Sequence, residues 1–332
     1  MILAGDFVPQ KTIPEIPDFG DEIVLANLEG PLCEDGLKPI DKVGIHLHSS
    51  PRQIPGRWAF TLANNHLMDY REEGLRRTLE VLDDQAISHG GAGLSLGKAR
   101  QVMWLKDSGK QIAVVCCCEH QFGVASDCHG GVAAVGAWVI PAIVGAKQRG
   151  ADFVVVSCHM GSESSKFVSP RQVALYHSFI DAGADVIHGH HAHVPQGWEE
   201  YKGHPIFYGL GNFVVDKQSW SHEENFRWSL VVKVDFAKSK PSWCVLRVGE
   251  LPERVEEYLD EANSIFSDPV ELRRRWGENA RVQYERYYKP FLKFGVYSLL
   301  FRMFHPIRYR LLMTSFKTCE THCDIIETAS EK

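Results

Sequence analysis

The sequence lacks three features that would each point to a particular class of protein. It contains no uninterrupted apolar run of about 18 residues, the length that a membrane-spanning helix needs. Its first residues, Met1 to Ala4, lead directly into Gly5 and Asp6, so we expect no secretory signal. An excess of positive charge is also missing, because the formal net charge is −6. That charge balance disfavours nucleic acid as a partner and disfavours a nuclease.

A regular cysteine framework is missing as well. The nine cysteines are unevenly spaced, and three of them are adjacent at Cys116, Cys117 and Cys118. Successive side chains of a strand point to opposite faces, so these three thiols cannot all be bridged locally. The pattern indicates reduced thiols packed as small apolar side chains. We therefore expect a cytoplasmic protein, with peripheral contact at the inner face of the membrane as an alternative.

Histidine is the residue that the sequence concentrates in one place. Four of the 16 histidines fall within the six residues from His188 to His193. The apolar run at 184–187 predicts a buried strand just before them. Open α/β sheets bind ligands at the carboxyl ends of their strands, and imidazole is the commonest side-chain metal ligand. On an extended segment, His191 and His193 would project to one side and reach one metal or two neighbouring metals.

Apolar strands followed by polar clusters recur along the chain. Such strands are predicted to end near residues 4, 27, 63, 158, 187 and 208. Clusters at the ends of several strands predict one composite site at one edge of a sheet. Asp69 directly precedes a helix predicted over 70–85, and we expect it to cap that helix. The candidate site residues are Asp6, Glu29, Asn65, His66, His159, His191 and His193.

These side chains offer oxygen and imidazole nitrogen atoms and need no thiolate. Such a set suits a divalent transition metal, Zn, Mn or Fe, rather than a structural zinc held by cysteine. Seven candidates are too many for one tetrahedral ion but match two ions that share a carboxylate. Two ions roughly 3.5–4 Å apart can hold a hydroxide and clamp a phosphoryl oxygen. The set therefore favours phosphoester hydrolysis, with amide or other ester hydrolysis as the alternative.

Seven short motifs in a fixed order resemble one protein family. They are Gly5-Asp6, Asn27-Leu28-Glu29-Gly30, Ala63-Asn64-Asn65-His66 with Asp69, Gly91-Ala92-Gly93, His159-x-Gly161-x-Glu163, Gly189-His190-His191-Ala192-His193, and Gly211-Asn212-Phe213. Over about residues 2–250 the chain closely resembles the CapA family of capsule synthesis or poly-γ-glutamate biosynthesis proteins. That family looks like a branch of the calcineurin-like metallophosphoesterases. The resemblance implies an α/β fold, a four-layer α/β/β/α sandwich like that of the metallophosphatases, with two sheets face to face.

The resemblance also implies roles for individual residues. It implies that the metal ligands are Asp6, Glu29 as the bridging acid, Asn65, His159, His191 and His193. It implies that His66 lies near the scissile group, and it makes Glu163 and His190 further candidates for the catalytic set.

Three positions depart from the family pattern. The first motif of the superfamily has a His two residues after the Asp, where this chain has Val8. One expected ligand is therefore missing, and the alternatives are a weak first metal site, an absent one, or one completed by His190 or Glu163. Ala192 stands where the family commonly has Pro, which we expect to affect loop stiffness more than ligation. Family members often carry an export or anchor segment, and we expect none here.

The composition changes after residue 250. Strand patterns stop, and charged helices are predicted over 253–266 and 269–288. We predict a CapA-like domain over 1–250 and a helical, basic, amphipathic C-terminal extension over 251–332. Its segment 289–317 is rich in apolar and basic side chains and contains no acid. We favour a helical cap packed on the main domain, with a segment lying on a membrane surface as the alternative.

Two functional hypotheses follow. The first is a CapA-like protein of capsule or poly-γ-glutamate biosynthesis that is a metal-dependent hydrolase. It would act through a metal-activated hydroxide at a dinuclear site, on a surface polymer or phosphoester. The second is a non-catalytic accessory protein of polymer synthesis or export, docked at the membrane through its C-terminal segment. The nearly complete ligand set favours the first hypothesis, whereas Val8 and the basic segment favour the second.

Overall fold

The computed structural model describes residues 1–9, 16–42, 45–51, 54, 56–215 and 224–283. In chain order the strands and helices are β1 (Ile2–Val8), β2 (Val24–Leu28), β3 (Trp58–Thr61), α1 (Arg71–Asp84), β4 (Ser88–Gly90), β5 (Ala92–Gly93), α2 (Leu96–Ala99), β6 (Met103–Asp107), β7 (Lys110–Cys118), β8 (Gly131–Val132), α3 (Val139–Gln148), β9 (Phe153–His159), α4 (Pro170–Asp181), β10 (Val186–His190), β11 (Trp198–Tyr201), β12 (His204–Phe207), β13 (Asn212–Val215), β14 (Trp228–Asp235), β15 (Ser242–Gly249), α5 (Val255–Ser264) and α6 (Pro269–Gln283).

Most of the strands belong to two large sheets. The first has the order β15-β14-β1-β2-β3-β4, with β13 also paired to β1, and the second has the order β11-β12-β10-β9-β7-β6. Strands β1 to β4 run parallel to one another, as do β12, β10, β9 and β7 in the second sheet. The carboxyl ends of parallel strands lie at the same edge of a sheet, so polar residues that follow them are brought together.

Strand β7 shows how the layers are built. Ile112 and Val114 point into the core between the two sheets. Ala113, Val115 and Cys117 point to the opposite face, where they pack under α3 and α4. Alternate side chains of a strand face opposite ways, so a strand that is apolar at every position is buried on both sides. The α/β/β/α sandwich predicted from the sequence is therefore confirmed.

The adjacent cysteines follow the same alternation. Cys116, Cys117 and Cys118 are all buried, and all are free thiols in the described part of the chain. Cys117 lies opposite Cys158 on the neighbouring strand, with 3.6 Å between the two sulfur atoms. The three thiols act as core side chains, as their spacing predicts.

Two strands run further than their apolar residues predict. The apolar pattern predicts that β1 covers residues 1–4. In the structure the strand continues to Val8 and contains Asp6. Strand β10 likewise continues past Ile187 to His190. The register explains both extensions, because each polar residue faces a polar residue on the neighbouring strand. Polar groups are accepted inside a sheet when they have hydrogen-bond partners.

Contacts divide the chain into two compact units, Met1–Trp276 and Gly277–Lys332. The first unit contains both sheets and α5, whose Tyr258 donates a 2.8 Å hydrogen bond to the carbonyl of Pro195. The domain boundary at residue 250 stays a prediction, and the basic segment 289–317 lies outside the described residues. Within the part of the chain that is described, no helix combines the length and the apolar character needed to span a bilayer.

Candidate metal centre

Side chains from both sheets meet at one edge of the sandwich. They come from β1, from the segments after β2 and β3, from the end of β9 and from the turn after β10. All are buried, and the most exposed of them, Asn65, is only 7% exposed. The structure thus brings together every residue of the predicted composite site: Asp6, Glu29, Asn65, His66, His159, His191 and His193.

One group of ligand atoms surrounds Nε2 of His159. Asn65 Oδ1 and His191 Nδ1 each lie 2.8 Å from this nitrogen, and Glu29 Oε1 lies 3.6 Å from it. Ligands that bind one zinc ion at about 2.0–2.2 Å lie roughly 3–3.5 Å from one another. Each of these three atoms therefore lies close enough to His159 Nε2 to bind the same ion as that nitrogen.

Glu29 also belongs to a second group. Its Oε1 atom lies 3.6 Å from His193 Nε2, the same distance as from His159 Nε2. On the other side of its ring, His193 Nδ1 lies 3.3 Å from Asp6 Oδ2 and 3.0 Å from Asn212 Oδ1. Glu29, His191 and His193 form a second set, whose ligand atoms lie within 4.8 Å of one another. Asp6 lies next to this set, on the Nδ1 side of His193, and Glu29 approaches both His159 and His193.

Within this centre, Glu29 is the ligand whose carboxylate oxygens lack a hydrogen bond from the described residues. Its side chain is fully buried. Burying an ionised carboxylate costs on the order of several kcal/mol when nothing compensates it. Burial accordingly raises the pKa of Glu29 well above its ordinary value. A cation between this carboxylate and the neighbouring imidazoles would remove the cost, so the residues fit a divalent ion.

The imidazoles of the centre differ in charge. Burial lowers the pKa of His191 to about 4 and that of His159 well below its ordinary value, so both rings are neutral and can donate a lone pair. Burial also disfavours a charged His193, but Glu29 and Asp6 outweigh it and raise the pKa of His193 to about 10.

The turn after β10 differs from the extended segment that the H-x-H spacing suggests. His191 has φ 100° and His193 has φ 59°, which is the left-handed region that side chains other than glycine rarely adopt. The backbone N–H of Ser164 donates a 2.8 Å hydrogen bond to the carbonyl of Ala192 and holds the turn. The prediction of an extended segment is therefore wrong, although the turn still brings ligand atoms of both rings within reach of Glu29.

His66 lies beside the two groups and is held by residues behind it. Its Nδ1 atom lies 2.7 Å from Asp69 Oδ2, which also accepts a 2.8 Å hydrogen bond from the N–H of Leu47. Lys42 donates to the other carboxylate oxygen of Asp69. The prediction that Asp69 caps α1 is wrong, because the residue flanking that helix is Tyr70, with no side-chain cap among the described residues. The Asp69 carboxylate is turned toward His66 instead.

Two further contributors were not singled out from the sequence. Asn27 donates a 2.8 Å hydrogen bond to Asp6 Oδ1 and so fixes that carboxylate. It lies in the Asn-Leu-Glu motif, and its role follows from the register of β1 and β2, which pairs it with Asp6. Lys42 contacts Asp69 from a segment without strand or helix periodicity. No local pattern in the sequence therefore indicates Lys42.

The remaining two catalytic candidates occupy different environments. Glu163 is exposed, and its charge acts to raise the pKa of His191, against the larger effect of burial. His190 is fully buried, and its Nδ1 atom lies 2.8 Å from His159 Nδ1, on the side of that ring away from Nε2. Val8, at the position of the missing superfamily ligand, is also fully buried. The catalytic roles of Glu163 and His190 stay predictions.

The fold and the centre define a two-sheet α/β protein with a buried cluster of histidines and acids at its strand ends. The family model described as bacterial capsule synthesis protein PGA_cap matches residues 10–217. The chain therefore belongs to this capsule synthesis family, and the resemblance to CapA proteins is confirmed.

Curated relatives agree with this assignment. Capsule biosynthesis protein CapA of Bacillus anthracis is 30% identical over 233 residues, which is 66% of this chain and 56% of the relative. PGA biosynthesis protein CapA of Bacillus subtilis is 37% identical over 210 residues, which is 60% of this chain and 54% of the relative. The chain thus spans little more than half the length of these relatives.

Similarity to solved structures is weaker. A hypothetical protein from Thermus thermophilus overlaps 75% of this chain and 99% of its own, at 15% identity and a TM-score of 0.44. A 5'-nucleotidase precursor from the same organism overlaps 64% of this chain and 43% of its own, at 15% identity and a TM-score of 0.33. Both scores lie below 0.5, so neither likeness carries a functional argument.

Proposed function

We propose that this chain is a metal-dependent hydrolase of capsule or poly-γ-glutamate biosynthesis. The proposed centre binds two divalent ions, Mn, Zn or Fe. The buried Glu29 carboxylate, without a hydrogen-bond partner in the described chain and equidistant from two imidazole nitrogens, is the observation that carries the proposal. The family assignment supports the pathway.

The ligands in this proposal all belong to the buried centre. Asp6, Glu29, Asn65, His159, His191 and His193 would hold the two ions, and Glu29, 3.6 Å from a nitrogen of both His159 and His193, would be the shared carboxylate. Two ions so placed would supply Lewis acidity and an activated water for attack on a phosphoester, or on an amide or other ester. The protein's own contribution is to hold neutral imidazoles and buried carboxylates in position before substrate arrives.

His66 is the residue proposed to handle the proton of the leaving group. Its Nδ1 is held by Asp69, so Nε2 is the nitrogen directed away from Asp69 and able to exchange a proton with substrate. A positioned general acid or base contributes about 10²–10⁴-fold to the rate. Lys42 and Leu47 hold Asp69 in turn, which keeps the imidazole in one orientation.

Elemental analysis of the purified protein tests the centre directly. We expect about two equivalents of transition metal in the wild type, loss of at least one in His191→Ala, and no loss in His89→Ala. His89 is a suitable control because it pairs with Asp83 near the surface and belongs to neither ligand group. A wild type that binds no metal after incubation with Mn and Zn would refute the proposed centre.

Hydrolysis is tested on the same samples with an activated phosphodiester, bis(p-nitrophenyl) phosphate. We expect turnover that follows metal content across the wild type, His191→Ala and His89→Ala. Full metal content without turnover of this diester, or of an activated ester or amide, would refute the hydrolase and leave the metal centre in place.

A non-catalytic accessory role is the second candidate function. It is supported by Val8, which occupies the place of a superfamily ligand. It is also supported by a Mycobacterium tuberculosis relative named probable polyglutamine synthesis accessory protein, 30% identical over 66% of this chain and 62% of its own length. Membrane docking through residues 289–317 belongs to this candidate. If the full chain and a chain ending at residue 288 float equally with liposomes, docking through this segment is refuted.

A further inference from the structure

A continuous line of hydrogen bonds leads from the back of His159 into the space between the sheets. His159 Nδ1 lies 2.8 Å from His190 Nδ1, and His190 Nε2 lies 3.1 Å from the hydroxyl of Ser157. That hydroxyl lies 3.0 Å from His188 Nδ1, and His188 Nε2 lies 2.8 Å from the carbonyl oxygen of Ala4. The four side chains are at most 2% exposed, so each polar atom needs the next one in the line as its hydrogen-bond partner.

Strand alternation places these groups on one line. Ser157 and His159 are two residues apart on β9, and His188 and His190 are two residues apart on β10, so each pair faces the same way. The strands are in register, with His188 opposite Ser157 and His190 opposite His159. Ala4 belongs to β1, so the line crosses from the second sheet to the backbone of the first.

One direction of hydrogen-bond donation satisfies the atoms from His159 Nδ1 to the carbonyl of Ala4. The carbonyl of Ala4 can only accept, so His188 must donate its Nε2–H. Burial lowers the pKa of His188 to about 4, so the ring is neutral and its Nδ1 accepts the Ser157 hydroxyl proton. Ser157 then accepts from His190 Nε2–H, and His190 Nδ1 is left as an acceptor. His159 must therefore carry its proton on Nδ1, which leaves the Nε2 lone pair directed at the ligand group.

We propose that His190, Ser157 and His188 are positioning residues that fix the tautomer of His159 for metal binding. This inference rests on the proposed metal centre and assigns His190 a role behind a ligand rather than in catalysis. Breaking the line lets the His159 proton move to Nε2, where it blocks the lone pair. Loss of such an outer partner typically lowers metal affinity about 10–100-fold.

The alternative is that His190 replaces the ligand missing at Val8. Asp6, His159 and His190 do bring ligand atoms within 4.8 Å of one another. In that set Asp6 lies on the Nδ1 side of His159, whereas Asn65, His191 and Glu29 lie around His159 Nε2. His190 Nδ1 also lies 4.0 Å from Asp6 Oδ1, against 2.8 Å from His159 Nδ1. The shorter contact and the satisfied line of donors favour the positioning role.

Asn27 also approaches the back of His159 without joining the line. Its Nδ2 atom donates one hydrogen to Asp6 Oδ1 at 2.8 Å and lies 3.1 Å from His159 Nδ1. An amide nitrogen cannot accept a hydrogen bond, so a proton on His159 Nδ1 has His190 Nδ1, 2.8 Å away, as its acceptor.

Ser157→Ala tests the line with the smallest change. Zinc affinity is measured by competition with a chromophoric chelator, and the protonated ring nitrogens are identified from ¹H–¹⁵N spectra of metal-free protein. We expect zinc affinity to fall about 10–100-fold, with unchanged stoichiometry at saturating zinc. In wild-type spectra we expect Nδ1–H on His159 and Nε2–H on His188 and His190. In Ser157→Ala, Nε2–H should appear on His159.

Ser229→Ala is the matched control, because the hydroxyl of Ser229 is buried and has no hydrogen-bond partner in the described part of the chain. Its zinc affinity should equal that of the wild type. His190→Asn retains an acceptor for His159 Nδ1–H and should keep most of the affinity that His190→Leu loses.

Three results would overturn the positioning role. They are wild-type zinc affinity in Ser157→Ala, loss of a whole metal equivalent in His190→Asn, and Nε2–H on His159 in metal-free wild type. A wild type that binds no zinc defeats the proposed function instead, and the metal-free spectra still decide the direction of the line.

Discussion

The two sheets make unlike contributions to one centre. The first sheet supplies oxygen atoms, from Asp6, Glu29 and Asn65. The segments at the ends of β9 and β10 in the second sheet supply imidazole nitrogens, chiefly from His159 and His191. Neither sheet carries a complete ligand set, so the centre exists only when the two are packed together. A bound ion would therefore cross-link the sheets, and metal binding would contribute directly to the stability of the fold.

Glu29→Gln is expected to have the largest effect, because it changes the only oxygen ligand that both groups share in the described chain. The substitution keeps the shape and removes the charge, so we expect both metal equivalents to be lost. The rate of hydrolysis should fall by about 10²–10⁴-fold or more, where that range is the usual contribution of a general acid or base. His191→Ala, on the nitrogen side, should release at least the ion shared with His159. Retention of two ions by Glu29→Gln would contradict a shared carboxylate.

Metal removal tests whether the sheets are cross-linked. An ion present at about 100 times its Kd stabilises the folded state by about 2.7 kcal/mol, which corresponds to a Tm shift of about 5–10 °C. We expect calorimetric melting of the wild type to shift down by this amount in chelator. Glu29→Gln serves as the control, since its Tm should not respond. A wild-type Tm unaffected by chelator would show that the packed sheets need no ion.

Lys42→Met is expected to have the smallest effect, because Lys42 acts through His66 and contacts no ligand group. Its side chain is 4% exposed and paired with Asp69. We expect kcat to fall about 10-fold, with KM and metal content unchanged. A displacement of a catalytic group by 1 Å can cost about 10²-fold, and the loss of Lys42 should move His66 by less. Lys38→Met, an exposed lysine in the same segment, is the matched control.

A double mutant then shows whether Lys42 acts through the imidazole. In a His66→Asn background, adding Lys42→Met should cause no further loss, because the two residues belong to one unit. An equal loss in both backgrounds would mean that Lys42 acts on the centre by another route.

The ligands are predictable from the sequence because each follows or ends an apolar strand and sits in a short motif. Asp6, Glu29 and His159 need only the assumption that parallel strands share an edge. The turn at His191 and His193 is not predictable in this way, since an H-x-H spacing is compatible with either a strand or a turn. Their positive φ angles are held by a contact from a distant segment.

Asp69 and Lys42 show a second limit of local patterns. Asp69 stands where a helix cap is expected, yet its carboxylate turns inward because Lys42, 27 residues away, is available to balance its charge. The histidine line shows a third limit. The period of two in Val186 to His190 places both His188 and His190 on one face. Their partner Ser157 follows only from the register between β9 and β10.

The alternation of β10 also restricts how the length of the chain can change. One residue inserted or deleted before His188 would exchange the two faces of the strand from that point on. The histidines would then point toward α3 and α4, and apolar side chains would enter the space between the sheets. The connection between β2 and β3 reaches the site through single contacts such as those of Lys42 and Leu47. That connection can gain or lose residues between its contacts, whereas β10 must keep its number of residues.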